Sequence, residues 1–361
     1  MSLRKIFYSF LILFIVNYST ITFAQTSSET TAVELEEIVV TAQRREQNIS
    51  DVSQAVQALS GDDLDELNIT NFEEMITLIP GAIQNSTISH GSNVYSIRGV
   101  AASETDGDAT VGYYLDNFAF SIPGRPYAPV TDLYDTERVE VLRGPSGTLY
   151  GLGSLGGTIK VITKDPVIGE FEGSFKATVS EIDDGDSSYT GDIVINAPIS
   201  DNAAIRAVLS IKDIGGWAEI IPSDQTDGNP YEALTGRLKL LVEPNEKTSV
   251  KFTYWRQDSE QEYANRLTYP SPPAIDNVFG ETFSDYTIYI LDVAYDLGFA
   301  MLESTTGYME NTVISNNGGF IPGIGNFSSL WPLESENFNE DIRLTSKSEG
   351  AWSWIIGAFY Q

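Results

Sequence analysis

The pattern of apolar and polar residues changes along the chain at about residue 166. Downstream of this point, segments of about ten residues alternate apolar and polar side chains, which is the period of a β-strand. Polar or glycine-rich stretches, typical of turns, separate these segments. The alternation predicts antiparallel strands at residues 171–182, 188–197, 203–212, 234–243, 248–259, 285–296, 298–311, 338–346 and 352–361.

Two architectures are compatible with this alternation. In residues 203–212, one strand face is apolar and includes Leu209, while the other face is more polar and includes Arg206. A soluble β-sandwich would bury the apolar face, whereas a transmembrane β-barrel would turn it toward lipid. Aromatic residues at the segment ends and a long acidic loop at 257–284 favour the membrane barrel.

The region before residue 166 has a mixed pattern. Ser60 and Asn71 are predicted N-caps, because each precedes apolar residues at helical spacing, and Pro80-Gly81 ends the second helix. Short apolar runs between glycine-rich loops then predict strands at 94–100, 110–116, 137–142 and 157–163. The pattern indicates a small α+β domain.

The N-terminus has the pattern of a secretory signal peptide. Arg4 and Lys5 precede an apolar run at 6–16, and Ala24 ends a short stretch of small and polar residues. The apolar run is too short to cross a hydrocarbon core of about 30 Å as a helix. We therefore predict export after removal of residues 1–24, and a flexible acidic tail from 25 to 36.

Composition excludes several classes of function. The chain has 51 acidic and 21 basic side chains, a net charge of −30, no cysteine and one histidine, His90. The negative charge argues against nucleic-acid binding, because phosphates require a basic surface. The absence of cysteine excludes thiolate metal sites and thiol nucleophiles, and no acid–base or nucleophile constellation is evident. We expect neither an enzyme nor a bound cofactor or metal.

A glycine-rich segment resembles a nucleotide-binding motif only superficially. Gly151, Gly153 and Gly156 match G-x-G-x-x-G, but Pro145 lies between the preceding strand and these glycines, and a second strand follows them. A dinucleotide site would instead join the strand directly to a helix. We therefore interpret the glycines as positions of tight turns and close packing.

Several motifs occur along the chain in the same order as in a known protein family. Glu37–Ala42 is similar to a TonB box, and Pro80-Gly81, Ile97-Arg98-Gly99 and Gly112–Asp116 match landmarks of a plug domain. Glu137–Thr163 resembles the most characteristic plug signature, and Phe338–Ser346, Trp354 and Gly357–Tyr360 look like barrel strands of the same family. Together, and after a signal peptide, these motifs resemble the N-terminal part of a TonB-dependent outer-membrane receptor.

The resemblance implies a fold and a domain plan. The expected fold is an α+β plug domain followed by antiparallel transmembrane β-barrel strands, with the barrel incomplete in this chain. The domains would be a signal peptide (1–24), a periplasmic tail with the TonB box (25–48), a plug (49–166) and the N-terminal portion of a 22-stranded barrel (167–361). Nine strands cannot close such a barrel, which leads us to expect a C-terminally truncated chain.

The resemblance also implies partners and site residues. The segment that would bind TonB, which works with its inner-membrane energising complex, is Glu37, Ile38, Val39, Val40, Thr41 and Ala42. Because its β-branched residues suit strand addition to a partner's sheet, the segment fits that role. Arg98 and Arg143 would be plug arginines paired with barrel glutamates, a task that suits the planar guanidinium. Outer-membrane lipids and an extracellular solute would be the remaining partners.

The expected function is energised uptake across the outer membrane of a Gram-negative bacterium. The solute could be a ferric siderophore or similar chelate, cobalamin, haem or an oligosaccharide, and loops at 84–93, 101–108 and 117–131 are candidate contacts. The short tail before the box favours a transporter over a signal transducer. The alternatives are a β-rich binding protein without transport activity, secreted or in the outer membrane, and a non-functional truncated receptor.

Overall fold

The structure of the 361-residue chain is a computed structural model. It describes residues 39–86, 93–102, 107–122, 124–151, 153–183, 185–220, 225–262, 274–275, 280–321, 325–347 and 352–361. The predicted signal peptide, the acidic tail, Glu37, Ile38 and His90 lie outside the described residues. In the part of the chain that is described, no helix combines the length and apolar character needed to cross a membrane.

The N-terminal domain, residues 39–163, is an α+β unit, as the sequence predicts. Its five-stranded sheet has the order β3-β8-β9-β6-β7, and β1-β2 and β4-β5 form two further pairs. The helices are α1 (Gly61–Glu66), α2 (Phe72–Ile76) and α3 (Gly147–Tyr150), with a 3-10 turn at Ile49–Asp51. The strands are β1 (Val39–Val40), β2 (Gln47–Asn48), β3 (Val56–Ser60), β4 (Ala82–Ser86), β5 (Val94–Ile97), β6 (Val111–Leu115), β7 (Phe118–Phe120), β8 (Thr136–Arg143) and β9 (Gly157–Thr163).

Both predicted helix caps are confirmed. Ser60 Oγ accepts a hydrogen bond from the Asp63 backbone N–H at 3.0 Å, and the Asp63 carboxylate accepts from the Ser60 N–H at 3.0 Å. Asn71 Oδ1 accepts from the Glu74 N–H at 2.9 Å. These side chains satisfy N–H groups that the first helical turn leaves without intrahelical partners.

The core of the N-terminal domain explains why apolar and polar residues do not alternate along its strands. Every residue of β5 and β6 is buried. Phe72 and Met75 of α2 belong to the same hydrophobic cluster as β5 and β6, and so does Trp255 from the second half of the chain. Strands covered on both faces are apolar throughout, so the period of two disappears.

The second half of the chain forms a large antiparallel sheet. In the described residues this sheet has nine strands in the order β10-β11-β12-β15-β16-β18-β19-β20-β21, one for each predicted segment. A separate small sheet has the order β14-β13-β17. The strands are β10 (Glu172–Glu181), β11 (Ser187–Ser200), β12 (Ala203–Ile214), β13 (Ala218–Ile220), β14 (Gln225–Gly228), β15 (Tyr231–Asn245), β16 (Thr248–Gln261), β17 (Ala274–Ile275), β18 (Thr282–Asp296), β19 (Ala300–Ile321), β20 (Gly325–Ser346) and β21 (Ile355–Tyr360).

The polarity of the two sheet faces decides between the two architectures. Leu209 and Leu238 are exposed, at 37% and 38%, whereas Arg206 and Lys239 are buried against the N-terminal domain, at 3% and 1%. A sandwich would bury the leucines and expose the cations. An apolar outer face and a polar inner face are the arrangement of strands that contact lipid.

The ends of the large sheet differ in the length of their connections. At one end, two residues join β11 to β12 and two join β15 to β16, and at the other end residues 215–230 and 262–281 form long connections. We call these the short-turn end and the long-loop end. Short turns face the periplasm and long loops the exterior in outer-membrane barrels.

The hairpin β19–β20 is longer than the sequence predicts. Each strand has 22 residues, and their pairing extends from Ala300↔Ser346 to Ile321↔Gly325. The Asn316–Gly319 stretch and Pro332 lack strand propensity and alternation, so the sequence pattern ends early there. Backbone pairing between the two strands continues across these positions, because ladder hydrogen bonds do not depend on an alternating side-chain pattern.

Candidate functional site

We call the predicted TonB box, Glu37–Ala42, the box segment. Its described part, residues 39–42, packs onto the N-terminal domain. Val39 and Val40 pair with Asn48 and Gln47 in a two-stranded sheet. Val39 is exposed at 45%, whereas Val40 and Ala42 are fully buried. The two buried side chains lie in a cluster with Tyr114, Leu142 and Tyr150. The segment therefore occupies a formed site on the domain, with Val39 at its surface.

Thr41 forms hydrogen bonds with two buried charged side chains. Its backbone N–H donates to Glu140 Oε1 at 2.8 Å, and its hydroxyl accepts from Lys160 Nζ at 3.0 Å. Glu140 is fully buried and also accepts from Arg138 Nε at 2.8 Å. Burial lowers the pKa of Lys160 to about 8, while the Glu140 carboxylate acts in the opposite direction. A threonine in the middle of the box segment thus completes the hydrogen bonding of two buried ionisable groups.

Arg44 connects the box segment to the large sheet. It has a left-handed backbone, with φ 60°, and its guanidinium carbon lies 4.3 Å from the centroid of the Tyr150 ring and 4.8 Å from that of Tyr114. Its Nε donates to the Leu149 carbonyl at 3.1 Å, and its Nη2 lies 3.6 Å from Asp341 Oδ2 on β20. One side chain therefore holds the segment by cation–π contacts, a hydrogen bond and an ion pair.

A second group of ion pairs joins carboxylates of the N-terminal domain to cations of the large sheet. Asp135 accepts from Arg206 Nη2 at 2.5 Å and from Arg237 Nη2 at 2.9 Å, and all three side chains are 3% exposed. Asp116 lies 3.0 Å from Lys239 Nζ. Burial acts to raise the pKa of Asp116, but Lys239, a second lysine and hydrogen bonds outweigh it and lower that pKa to about 2.

The two arginines singled out in the sequence lie elsewhere. Arg98 is exposed and has φ 56°, and Arg143 Nη1 donates to the Pro80 carbonyl at 3.4 Å. Within the described ranges, neither arginine is within ion-pair distance of a carboxylate. Their pairing with barrel glutamates stays a prediction. The ion pairs of Asp116 and Asp135 have the opposite polarity, with the aspartate on the N-terminal domain and the cation on a strand. The Arg44–Asp341 pair instead places the cation on the N-terminal domain.

The alternating segments of the sequence contain a signal for this interface. Arg206, Arg237 and Lys239 each fall on the polar face of an alternating segment. Cations on one strand face require carboxylates opposite them if that face is buried. The identity of the carboxylates was not predictable, because Asp116 and Asp135 sit in turns and both have left-handed backbones, with φ 52° and 57°.

A cavity of about 230 Å³ lies near the long-loop end, between the N-terminal domain and the sheet. Val130 and Thr131, from the candidate loop 117–131, line it. The other two candidate loops, 84–93 and 101–108, fall partly outside the described residues. Among the residues with described positions, no cluster of histidine and acidic side chains is arranged to hold a metal ion. The cavity and the box segment lie at opposite ends of the sheet, since Asp341 is near the short-turn end of β20.

The chain is similar to known receptors at the level of sequence. A family model described as TonB-dependent Receptor Plug Domain matches residues 48–158. The Pesticin receptor of Yersinia pestis is 28% identical over 229 residues, which cover 62% of this chain and 32% of that protein. The Vitamin B12 transporter BtuB of Vibrio vulnificus is 26% identical over 235 residues, covering 64% of this chain and 36% of that protein. The chain thus matches about a third of the length of these relatives.

The fold is similar to that of solved receptors. The crystal structure of the ferripyoverdine receptor of the outer membrane of Pseudomonas aeruginosa, bound to ferripyoverdine, superposes with a TM-score of 0.74 at 17% identity. The superposition covers 89% of this chain and 44% of that receptor. At this identity the similarity establishes the fold and leaves the ligand open.

Proposed function

The chain belongs to the TonB-dependent receptors, and from this premise we propose that it takes up a scarce extracellular solute across the outer membrane with energy delivered by TonB. The N-terminal domain is the plug, and the large sheet is the wall of barrel strands around it. The observation that carries the proposal is the position of the box segment. It lies at the short-turn end of the strands, which faces the periplasm.

The geometry of the box segment supports strand addition by TonB. Val39 is 45% exposed and begins a strand of only two residues, so few backbone hydrogen bonds hold it. A partner that pairs with Glu37–Val40 would gain a ladder of backbone hydrogen bonds. Force applied there passes directly to Thr41 and Arg44, which connect the segment to the plug and to Asp341 of the barrel.

The exposed faces of the barrel strands support a location in the outer membrane. Phe252, Leu291 and Ile342 are exposed at 38%, 41% and 45% on strands whose other face contacts the plug. Lipid chains would cover such side chains without an unfavourable water contact. Outer-membrane lipids are therefore the partner of this surface in our proposal.

A cross-linking experiment tests the role of the box. The natural chain has no cysteine, so Val39→Cys introduces a single thiol. We expect this thiol to form a disulfide with a cysteine placed in the strand-forming region of the periplasmic domain of TonB. The matched control is Val167→Cys, which is also exposed, at 41%, but lies after the plug. If both variants cross-link equally, or neither does, the assignment of Glu37–Ala42 as the TonB-binding segment is wrong.

A second variant tests whether the segment is required for transport. Val40→Pro removes a backbone N–H from the two-residue strand and disturbs a buried side chain. We expect it to abolish energised uptake while surface binding of the solute persists, because the cavity lies at the opposite end of the sheet. Uptake at the wild-type rate would contradict the proposal.

A further inference from the structure

The cavity at the long-loop end is built from both domains. The plug contributes the start of α2 and the residues from Val130 to Asp132, and the barrel contributes β12, β15 and β16. In an outer-membrane receptor this end faces the exterior, from which the solute arrives. The inference below therefore rests on the proposed function, and it concerns the chemical class of the solute.

The charges around the cavity disfavour an anionic ligand. Lys212 lines it, but its ammonium is already engaged, with Nζ 3.3 Å from Asp132 Oδ2 and donating to the Thr70 carbonyl at 3.1 Å. Glu73 and Glu74 add two further carboxylates to the lining. The local charge is therefore negative, and a ligand with carboxylate, catecholate or phosphate groups would be repelled.

The polar groups of the lining match hydroxyl groups. Gln257 is 2% exposed, and its Oε1 accepts from the Tyr286 hydroxyl at 3.1 Å, so its amide nitrogen is left to donate. That nitrogen makes no hydrogen bond to any residue that the structure describes. Glu74 accepts from the Thr70 N–H through Oε2 at 2.9 Å, which leaves its other oxygen as an acceptor. A hydroxyl group both accepts and donates, and so satisfies both kinds of site.

An anchored tryptophan provides an apolar surface beside these groups. Trp217 is 38% exposed and lines the cavity, and its backbone N–H donates to Asn229 Oδ1 at 3.0 Å. The flat face of an indole packs well against the C–H bonds on one face of a sugar ring, because both surfaces are apolar. The volume of about 230 Å³ is below the roughly 300–1,000 Å³ of pockets that enclose a whole small-molecule ligand.

We propose that this cavity binds one neutral sugar residue of an oligosaccharide, which makes a carbohydrate the solute of this receptor. The ring stacks on Trp217, and its hydroxyls accept from Gln257 and donate to Glu74. The remaining residues of the oligosaccharide extend toward the long loops. A ferric chelate that carries carboxylate or catecholate groups does not fit the negative charge of this lining.

Calorimetric titration of the purified protein in detergent micelles tests the proposal. The probes are cellohexaose, xylohexaose, laminarihexaose and mannohexaose, with ferric citrate as the anionic comparison. We expect at least one hexaose to bind, with a Kd that changes little between low and high salt, because the ligand carries no charge.

Two variants connect the binding to the cavity. Gln257→Glu keeps the acceptor for Tyr286 and removes the amide donor, and Trp217→Ala removes the stacking surface; each should weaken hexaose binding about tenfold or more. The matched controls are Gln57→Glu and Trp352→Ala, because Gln57 and Trp352 lie outside the cavity lining. We expect both control variants to bind the hexaose as tightly as the wild type does. Two variants are used so that misfolding of one does not decide the result.

The outcomes separate this inference from the proposed function. If none of the four hexaoses binds, or if both cavity variants bind as tightly as the controls, the carbohydrate assignment is overturned. Accumulation of a labelled hexaose by cells is measured separately. Binding without accumulation would support the cavity assignment and contradict the transport function. Accumulation that is insensitive to both cavity variants would support the transport function and contradict the cavity assignment.

Discussion

The guanidinium of Arg44 and the carboxylate of Asp341 lie 3.6 Å apart and join the box segment of the plug to a barrel strand. Both side chains are largely buried, at 3% and 11% exposure. Because Arg44 also stacks on Tyr114 and Tyr150, it holds the segment against two parts of the molecule at once.

Replacement of Arg44 should expose the box. Arg44→Lys keeps the charge but loses the planar stacking surface, so we expect a thiol introduced by Val39→Cys to react severalfold faster with a maleimide. The neighbouring Arg45→Lys, for which the structure describes no ion pair, is the matched control. Equal labelling rates in the two variants would show that Arg44 does not hold the segment.

Neutralising Asp135 should weaken the contact between the plug and the barrel strands. Asp135→Asn removes the charged partner of the buried Arg237 and leaves Arg206 paired with Glu172, whose side chain is 54% exposed. We expect a cost of roughly 3–5 kcal/mol. Asparagine tolerates the left-handed backbone at this position, so the substitution isolates the charge. Hydrogen exchange of β8 should accelerate relative to Asp201→Asn, a substitution in an exposed turn. Unchanged exchange would contradict a stabilising role for Asp135.

Acid should weaken the contact of Asp116 with the barrel. The pKa of Asp116 is about 2 in the folded protein, below the ordinary 3.8. A depressed carboxyl pKa adds stability that is fully present above the ordinary value and is lost as pH falls through the folded one. We therefore expect this contribution to disappear between about pH 4 and pH 2. Unfolding measured across this range should show a smaller pH dependence for Asp116→Asn than for the wild type, and identical curves would refute the assignment.

The glycine-rich signature should be sensitive to packing at particular positions. A Cβ on Gly157 would lie 2.3 Å from the Leu142 carbonyl oxygen, whereas one on Gly147 would contact nothing within 4 Å. Gly157→Ala should therefore lower the thermal stability of the plug strongly, and Gly147→Ala should leave it nearly unchanged. Similar melting temperatures for the two variants would argue against close packing as the reason for Gly157.

The fold was predictable because its signals are local. Each alternating segment corresponds to one strand of the large sheet, and Ser60 and Asn71 cap helices as expected. Strand period and capping depend on residues a few positions apart, which a single sequence contains. The extension of β19 and β20 was missed because pairing with another strand, and not local propensity, maintains it.

The sequence by itself determined the order of the nine strands of the large sheet and of the two capped helices, the acidic charge, the absence of thiol chemistry and the resemblance to a receptor family. Only the tertiary structure decided which strand face is outside, which carboxylates meet Arg206, Arg237 and Lys239, and that Val40 and Ala42 are buried. These features arise from contacts between residues far apart in the chain. Period and composition are the same whichever way a strand faces, so only packing against the plug fixes the direction.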